Sequence, residues 1–278
     1  MRIERVCLRD FLAVGGQCVE VGGPTLLYGP NGAGKSSLIL GVAALLYAIS
    51  GGVLRGLVPD NLALWVRRGA EAGAVEAVVD GRRYRLEIGR DTSVWVDNEK
   101  QGYPPFKLIE ARVAYVGPCT AAWESWRFHL CEGADLEVED PEDAEWLRRV
   151  GAVAGVEDVY GGRVKVGGRW IDVQTLAYGY RRALAMLIAA RRADVLLVEA
   201  FEAGLHYDLA VDLIQVLKET SALVIAESHL MATLKAALDA GWRVYYVDGG
   251  VFHPIKDVFD VAKYAERERL AYAAISRT

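Results

Sequence analysis

No apolar run in the 278-residue sequence is long enough to cross a bilayer. The longest, Leu38 to Ile49, falls short of the roughly 20 residues a span needs and follows a glycine-rich loop, so a buried helix is expected there. The opening residues alternate charged and apolar instead of running basic then apolar, and no secretory leader is expected. A basic excess is missing too: 32 Lys and Arg against 37 Asp and Glu leave a net charge of -5. No overall positive field therefore drives the chain onto nucleic acid or anionic lipid, and only local patches could do so. The 4 cysteines, Cys7, Cys18, Cys119 and Cys131, form no CxxC pair and no zinc spacing, and are too few to staple a chain of this length. A cytoplasmic protein with no membrane partner is expected. Asn and Gln are sparse and arginine outnumbers lysine, which fits a thermophilic archaeon and equally fits biased codons. In a hot archaeon even cytosolic cysteines may pair, and Cys7 and Cys18 could face each other across an opening hairpin. No repeat and no sustained heptad run is present.

What is present excludes a disordered chain: 53% of residues are apolar and 25% charged. Arg2 to Leu8, Cys18 to Val21 and Thr25 to Tyr28 read as strands, and helical character follows from Ser36. Ala74 to Asp80 returns through Arg83 to Ile88 after Asp80-Gly81, a hairpin pattern, with a further strand at Thr92 to Val96. Val113 to Val116 reads as a buried strand and Glu132 to Glu145 as acidic periphery. Trp146 to Val153 is expected helical, and a glycine-linked hairpin joins Arg163–Val166 to Trp170–Val173. From Tyr180 the elements alternate: helix to Arg192, strand Val195 to Val198, helix Tyr207 to Glu219, strand Ala222 to Ile225, helix Leu230 to Ala240, strand Val244 to Val247. Apolar, β-branched strands with short connections to helices predict an α/β fold with a mostly parallel core sheet.

Gly29-Pro30-Asn31-Gly32-Ala33-Gly34-Lys35-Ser36 fills the G-x-x-x-x-G-K-[ST] pattern between a strand and a helix, which is where its mechanism requires it. The glycines let backbone N–H groups converge on phosphates at the positive end of the following helix. Lys35 would reach the β and γ phosphates of ATP, Ser36 would bind Mg²⁺, and Ser37 would assist at the α-phosphate. A helix opening at Gly179 could likewise present donors to an anion. Arg181 and Arg182 would either add charge there or face solvent.

Glu202-Ala203-Gly204-Leu205-His206 resembles the stretch after the Walker B strand of ABC-type ATPases, within them the RecF, SMC and Rad50-like heads and short AAA-type relatives with a GLH motif. The opening Ile3 to Phe11, ending Arg9-Asp10-Phe11, is similar to the family's first strand and its turn toward the nucleotide base, which would put Arg9 at the nucleotide. The order also matches, with a signature-like Leu176 to Arg182, then Val195 to Glu199, then Glu227-Ser228-His229. The resemblance covers about two thirds of the chain. It implies a P-loop NTPase of ABC-ATPase topology with an N-terminal antiparallel layer and a small α+β lobe. The expected division is one domain over 1–278, with the lobe at 71–173, the signature, Walker B and switch segment at 174–250, and a C-terminal helix within 251–278. It further implies a homodimer clamped head to tail, Tyr178-Gly179 of one copy closing over the γ-phosphate held by Lys35 of the other.

Three departures matter. Tyr178 stands where the family has a serine, so one γ-phosphate contact would be missing or made from another angle. No glutamine stands after Val116. Aligned on Glu202 to His206, Glu199 takes the place of the Mg²⁺-associated aspartate and Ala200 that of the glutamate that polarises water. Alanine cannot do that, and Glu227, Glu202 or Glu199 itself would have to. His229 would hydrogen-bond the γ-phosphate or hold the water, and His206 would be structural or touch the dimer partner.

The interval from Lys35 to Gly179 is too short for long coiled-coil arms. Arg67-Arg68, Arg82-Arg83-Arg85 and Arg148-Arg149, interleaved with Trp65, Tyr84 and Trp146, could contact DNA; the alternative is solvated or ion-paired arginines. Three function classes follow. One is an ATP-hydrolysing head in DNA repair or genome maintenance, with a nuclease or repair factor as a possible partner. The second is a slow nucleotide-gated dimerisation switch acting on a protein partner. The third is a transporter motor subunit, disfavoured by the poor signature.

Overall fold

A computed structural model describes residues 1–51, 57–59, 61–102, 107–123, 126–130 and 138–261. The chain opens with β1 (Ile3–Phe11), β2 (Val14–Glu20) and β3 (Thr25–Tyr28), followed by α1 (Lys35–Ser50). β4 (Gly73–Val79), β5 (Arg82–Ile88), β6 (Ser93–Val96) and β7 (Glu99–Gly102) join β1 and β2 in a six-stranded antiparallel sheet ordered β2-β1-β4-β5-β6-β7. The β4–β5 hairpin turns on Asp80 and Gly81, whose φ values of 48° and 80° are the pair that a two-residue turn of matching twist requires.

The second sheet takes β3, β8 (Val113–Val116), β9 (Thr120–Trp123), β10 (Trp126–His129), β14 (Val195–Val198), β15 (Leu223–Ser228), β16 (Arg243–Asp248) and β17 (Val251–Ile255). Its order is β10-β9-β8-β14-β15-β3-β16-β17. The five strands from β8 to β16 are parallel, and antiparallel strands close both edges. Between β10 and β14 the chain forms α2 (Pro141–Val150), a small sheet of β11 (Asp158–Tyr160), β12 (Arg163–Val166) and β13 (Arg169–Asp172), and then α3 (Tyr178–Arg192); α4 (Tyr207–Lys218) and α5 (Met231–Asp239) complete the core.

The central strands are apolar on both faces because both faces are covered. Val195 and Leu197 of β14 point into a cluster with α1 and the antiparallel sheet, while Leu196 and Val198 point into a second cluster with α3 and α4. α1 is therefore wedged between two sheets and buried almost all round, as the Leu38–Ile49 run predicts.

Several expectations shift. The acidic stretch contains the start of α2, where Asp140 caps the N–H of Glu142 and Pro141 supplies the first helical residue. Residues 251–255 form strand β17 rather than helix, and the C-terminal helix expected within 251–278 falls mainly on 262–278, outside the described residues. β15 extends to Ser228, so Glu227 lies within a strand and not beyond its end.

Cys7 and Cys18 sit opposite each other on β1 and β2, Cα atoms 4.0 Å apart, and form a disulfide. Cys119 is also disulfide-bonded. Closing the short loop between Cys7 and Cys18 removes conformational freedom from the unfolded chain worth about 2–3 kcal/mol. The double variant Cys7→Ser/Cys18→Ser is expected to lose that much in denaturant unfolding. An unmoved midpoint would mean that the cross-link contributes nothing in solution.

Candidate functional site

The loop between β3 and α1 passes under β16. Gly29 has φ of 151°, and a Cβ there would lie 2.3 Å from the Val247 carbonyl oxygen, so no other residue fits without moving the strand. Gly34 caps α1 at φ of 105° with no side-chain cap, leaving the first helical N–H groups directed at the loop's concave side. The cleft above holds about 490 Å³ and is walled by Asn31, Gly32 and the run from Gly34 to Ser37, by Glu227 and His229, and by Leu12, Ala13, Leu64, Val66 and Arg68.

Lys35 is 4% exposed, and its Nζ donates to the carbonyls of Gly29 and Pro30, each at 2.7 Å. It also lies 3.2 Å from His229 Nδ1. The same Nδ1 lies 3.1 Å from the Gly29 carbonyl oxygen, so Lys35, His229 and Gly29 meet at one point: Nδ1 accepts from the ammonium in one imidazole tautomer and donates to the carbonyl in the other. The backbone N–H of His229 is itself held by Glu202 Oε1 at 2.9 Å, while Glu202 Oε2 is buried without a partner among the described residues. Ser36 Oγ donates to Glu227 Oε2 at 2.9 Å, and the Ala13 N–H donates to Ser37 Oγ at 3.3 Å.

Glu199 follows β14 and accepts a 2.7 Å hydrogen bond from the Tyr115 hydroxyl. Burial raises its pKa, the nearby charge of Glu227 adds to the rise, and the Tyr115 bond opposes it. The Tyr115 phenol is itself pushed well above its ordinary value, chiefly by burial and then by the charge of Glu199. Ala200 adopts φ of 46° and offers only a methyl group. Glu227 and the Ser36 hydroxyl line the cleft and are oxygen donors of the kind a hard divalent cation prefers, while Glu199 is not part of the cleft lining and is near enough to Glu227 to feel its charge. Among the described residues no group of three His, Cys, Asp or Glu could hold a metal unaided.

The signature-like segment differs from expectation. Arg182 neither faces solvent nor reaches the cleft: it is 0% exposed and donates to four carbonyls, of Gly117 (3.1 Å), Glu199 (2.7 Å), Phe201 (2.6 Å) and Ala203 (3.2 Å). Burial pulls its pKa down to about 10. Arg181 donates to the Gln174 carbonyl at 2.6 Å. The Tyr178 hydroxyl donates to the Pro118 carbonyl of the same chain, and its ring packs where a Cβ on Gly204 would sit. Gly179 leaves room for the Gly204 carbonyl, 2.2 Å from where its Cβ would be. Arg9 is paired with Glu87 at 3.8 Å and does not line the cleft.

No protein-family model matches the chain, and no curated protein does. Solved structures do. An SMC head bound to the C-terminal winged-helix domain of ScpA superposes with a TM-score of 0.65 at 14% identity, covering 92% of this chain and 97% of that one. The SMC head with an extended coiled coil, bound to the C-terminal domain of ScpA derived from Pyrococcus furiosus, gives 0.61 at 13%, covering 96% and 99%. RecF with a bound nucleotide analogue gives 0.54 at 10%, covering 91% and 98%. The fold is that of the SMC and RecF heads.

On this SMC-like fold the arginine clusters fall on separate elements and are mostly ion-paired. Arg82 pairs with Asp97, Arg83 with Glu76, Arg85 with Glu87, Arg67 with Asp10 and Arg148 with Asp158. Tyr84 is buried, which takes it out of reach of a base, and Trp65 is half-buried and packs edge-on against Phe11. Arg149 is exposed on α2, and Arg68 lines the cleft. The roles of Leu12, Leu64 and Val66 as cleft wall had no sequence signal, since aliphatic residues near a turn carry no mark of a ligand. No helix among the described residues is long and apolar enough to cross a membrane.

Proposed function

We propose that the chain is an ATP-binding and ATP-hydrolysing head that closes head to tail on a second copy around Mg-ATP. The observation that carries this reading is the buried Lys35 ammonium at the mouth of a glycine-shaped loop, flanked by the Ser36–Glu227 pair and His229. Backbone N–H groups from Gly29 to Ser37 would cradle the phosphates, with Pro30, Asn31, Gly32, Ala33 and Gly34 shaping the turn. Lys35 would exchange its loop carbonyls for β and γ oxygens, and His229 would offer Nε2–H to the γ-phosphate. Ser36 and Glu199 would hold Mg²⁺, which when bound neutralises charge on the phosphates. Glu227 is the acid we assign to the attacking water, with Glu202 fixing His229 from behind. Gly179 would face the partner's nucleotide through its backbone. Tyr178, whose hydroxyl is engaged within its own chain, would do so only after leaving Pro118. Arg9 would need to leave Glu87 to take part.

The setting we propose is genome maintenance, supported by the SMC and RecF likeness of the fold. A protein partner docked on the head, as ScpA docks on the SMC heads, belongs to the same proposal. Direct DNA contact through the arginine clusters would require breaking their ion pairs. Titration calorimetry with Mg-ATP, followed by light scattering, tests the core of the reading: saturable binding and nucleotide-dependent doubling of mass are expected. Absence of binding overturns it, and binding without a mass change removes the shared pocket.

Ala200 favours a second reading, a slow switch. If no acid has replaced the missing glutamate, Ala200→Glu should raise turnover at least about tenfold, given the 10²–10⁴-fold reach of general-base catalysis. If an acid already present does the work, the rate should stay level or fall.

A further inference from the structure

β8 and β14 run parallel with Tyr115 beside Leu197 and Val116 beside Val198, and the ladder continues one step further, the Glu199 N–H donating to the Val116 carbonyl at 2.9 Å. Tyr115, 7% exposed, lies along this ladder with its hydroxyl 2.7 Å from Glu199 Oε2. A carboxylate only accepts, so the phenol is the donor and its proton is committed to Glu199. The chain makes room for this contact: a Cβ on Gly117 would lie 2.7 Å from the Tyr115 hydroxyl and 3.1 Å from the ring. The Gly117 carbonyl is fixed by Arg182 Nε and the Glu199 carbonyl by Arg182 Nη2, so the turn over the phenol and the backbone of the acid are tied to one guanidinium. Glu199 is thus held at its N–H, at its carbonyl and at one carboxylate oxygen. Its other oxygen, Oε1, takes no part in these three contacts.

We propose that Tyr115 is a positioning residue for the phosphate site, its hydroxyl fixing Oε2 of Glu199 so that Oε1 is presented to the divalent cation that accompanies the nucleotide. The inference rests on the proposed reading of the cleft as a Mg-ATP site and adds a residue to it. Buried hydrogen bonds that orient a ligating group govern metal affinity without touching the metal. The hydroxyl also keeps an extended, buried carboxylate in one rotamer, which a longer acid such as glutamate needs more than aspartate does. Gly117 serves the same end by leaving space for the phenol.

The test is Tyr115→Phe, which keeps the ring and removes only the hydroxyl. Wild-type protein is first titrated with ATP, with and without Mn²⁺; if it binds no nucleotide, the reading of the cleft has failed and Tyr115 has no such role. Given binding, Tyr115→Phe should fold as wild type and keep its affinity for ATP in chelator. Its complex with ATP should bind Mn²⁺, measured by electron paramagnetic resonance, about tenfold or more weakly. On a Glu199→Gln background the same substitution should cost nothing further, because the partner it acts through is already altered. Gly117→Ala, which drives the ring off Glu199, should reproduce the loss if the variant folds. Wild-type Mn²⁺ affinity in folded Tyr115→Phe would overturn the proposal. So would an equal loss of metal-free ATP affinity, or a full additional loss on the Glu199→Gln background.

Discussion

Arg182→Met is expected to lower the unfolding free energy by about 3–5 kcal/mol, enough to drop the melting temperature by about 10 °C. The side chain is wholly buried, and its fork reaches carbonyls from three separate stretches: Gly117 after β8, Glu199 at the end of β14, and Phe201 and Ala203 in the turn leading to α4. Methionine fills much of the volume but strands these acceptors, and each buried carbonyl left unpaired costs on the order of 1–3 kcal/mol before relaxation. Burial drags the guanidinium pKa down to about 10, so the group stays charged at neutral pH, and dipoles from several carbonyls stand in for a counter-ion. Lysine is expected to recover only part of the loss, because one ammonium cannot reach donors splayed over that arc. Chemical denaturation checks the value. A loss below about 1 kcal/mol would mean that the carbonyls find water and that the hub is not what ties the segments together.

Arg182 also marks where reading the sequence stops. It adjoins Arg181 in a helix start, and nothing in the two residues' chemistry or spacing distinguishes the one that enters the core from the one that caps Gln174. The difference is made by how α3 sits against a turn some twenty residues on, which is tertiary information. Tyr115 is hidden for the same reason, since its partner Glu199 is 84 residues away; Glu227 is a candidate acid from sequence, but its bond to Ser36, 191 residues away, is not legible there. The strand that carries Glu227 is expected to end early, because a buried acid after Leu223–Ala226 breaks the apolar pattern by which a strand is recognised. What could be read is what local physics dictates. Thr25–Tyr28, Val113–Val116 and Val195–Val198 are short apolar runs with no wet face, and they are strands with the expected ends. Asp80-Gly81 makes its hairpin because few residue pairs tolerate two positive φ values. Asp140-Pro141 was legible as a helix start but was masked by the surrounding acids, whose charge reads as solvent periphery.

Lys35→Met should weaken ATP binding about 100-fold or more while leaving the stability of the nucleotide-free protein within about 1 kcal/mol of wild type. The asymmetry follows from the partners. Without ligand, the buried ammonium donates to the Gly29 and Pro30 carbonyls, whose dipoles offset part of its desolvation. Methionine gives up those bonds but is relieved of that burial cost, and the two changes nearly cancel. With phosphates present the balance differs: an ionised ligand pairs with the ammonium by charge-assisted bonds in a cleft of low dielectric, and methionine forfeits all of it. Thermal unfolding with and without Mg-ATP reads both halves at once, because at a fixed ligand concentration the rise in midpoint grows with the logarithm of that concentration over Kd and so falls as affinity is lost. Wild type should gain with nucleotide and Lys35→Met should not, from starting midpoints that nearly coincide. A variant that still gains as wild type does would move the phosphate contacts away from Lys35 and onto the loop N–H groups alone.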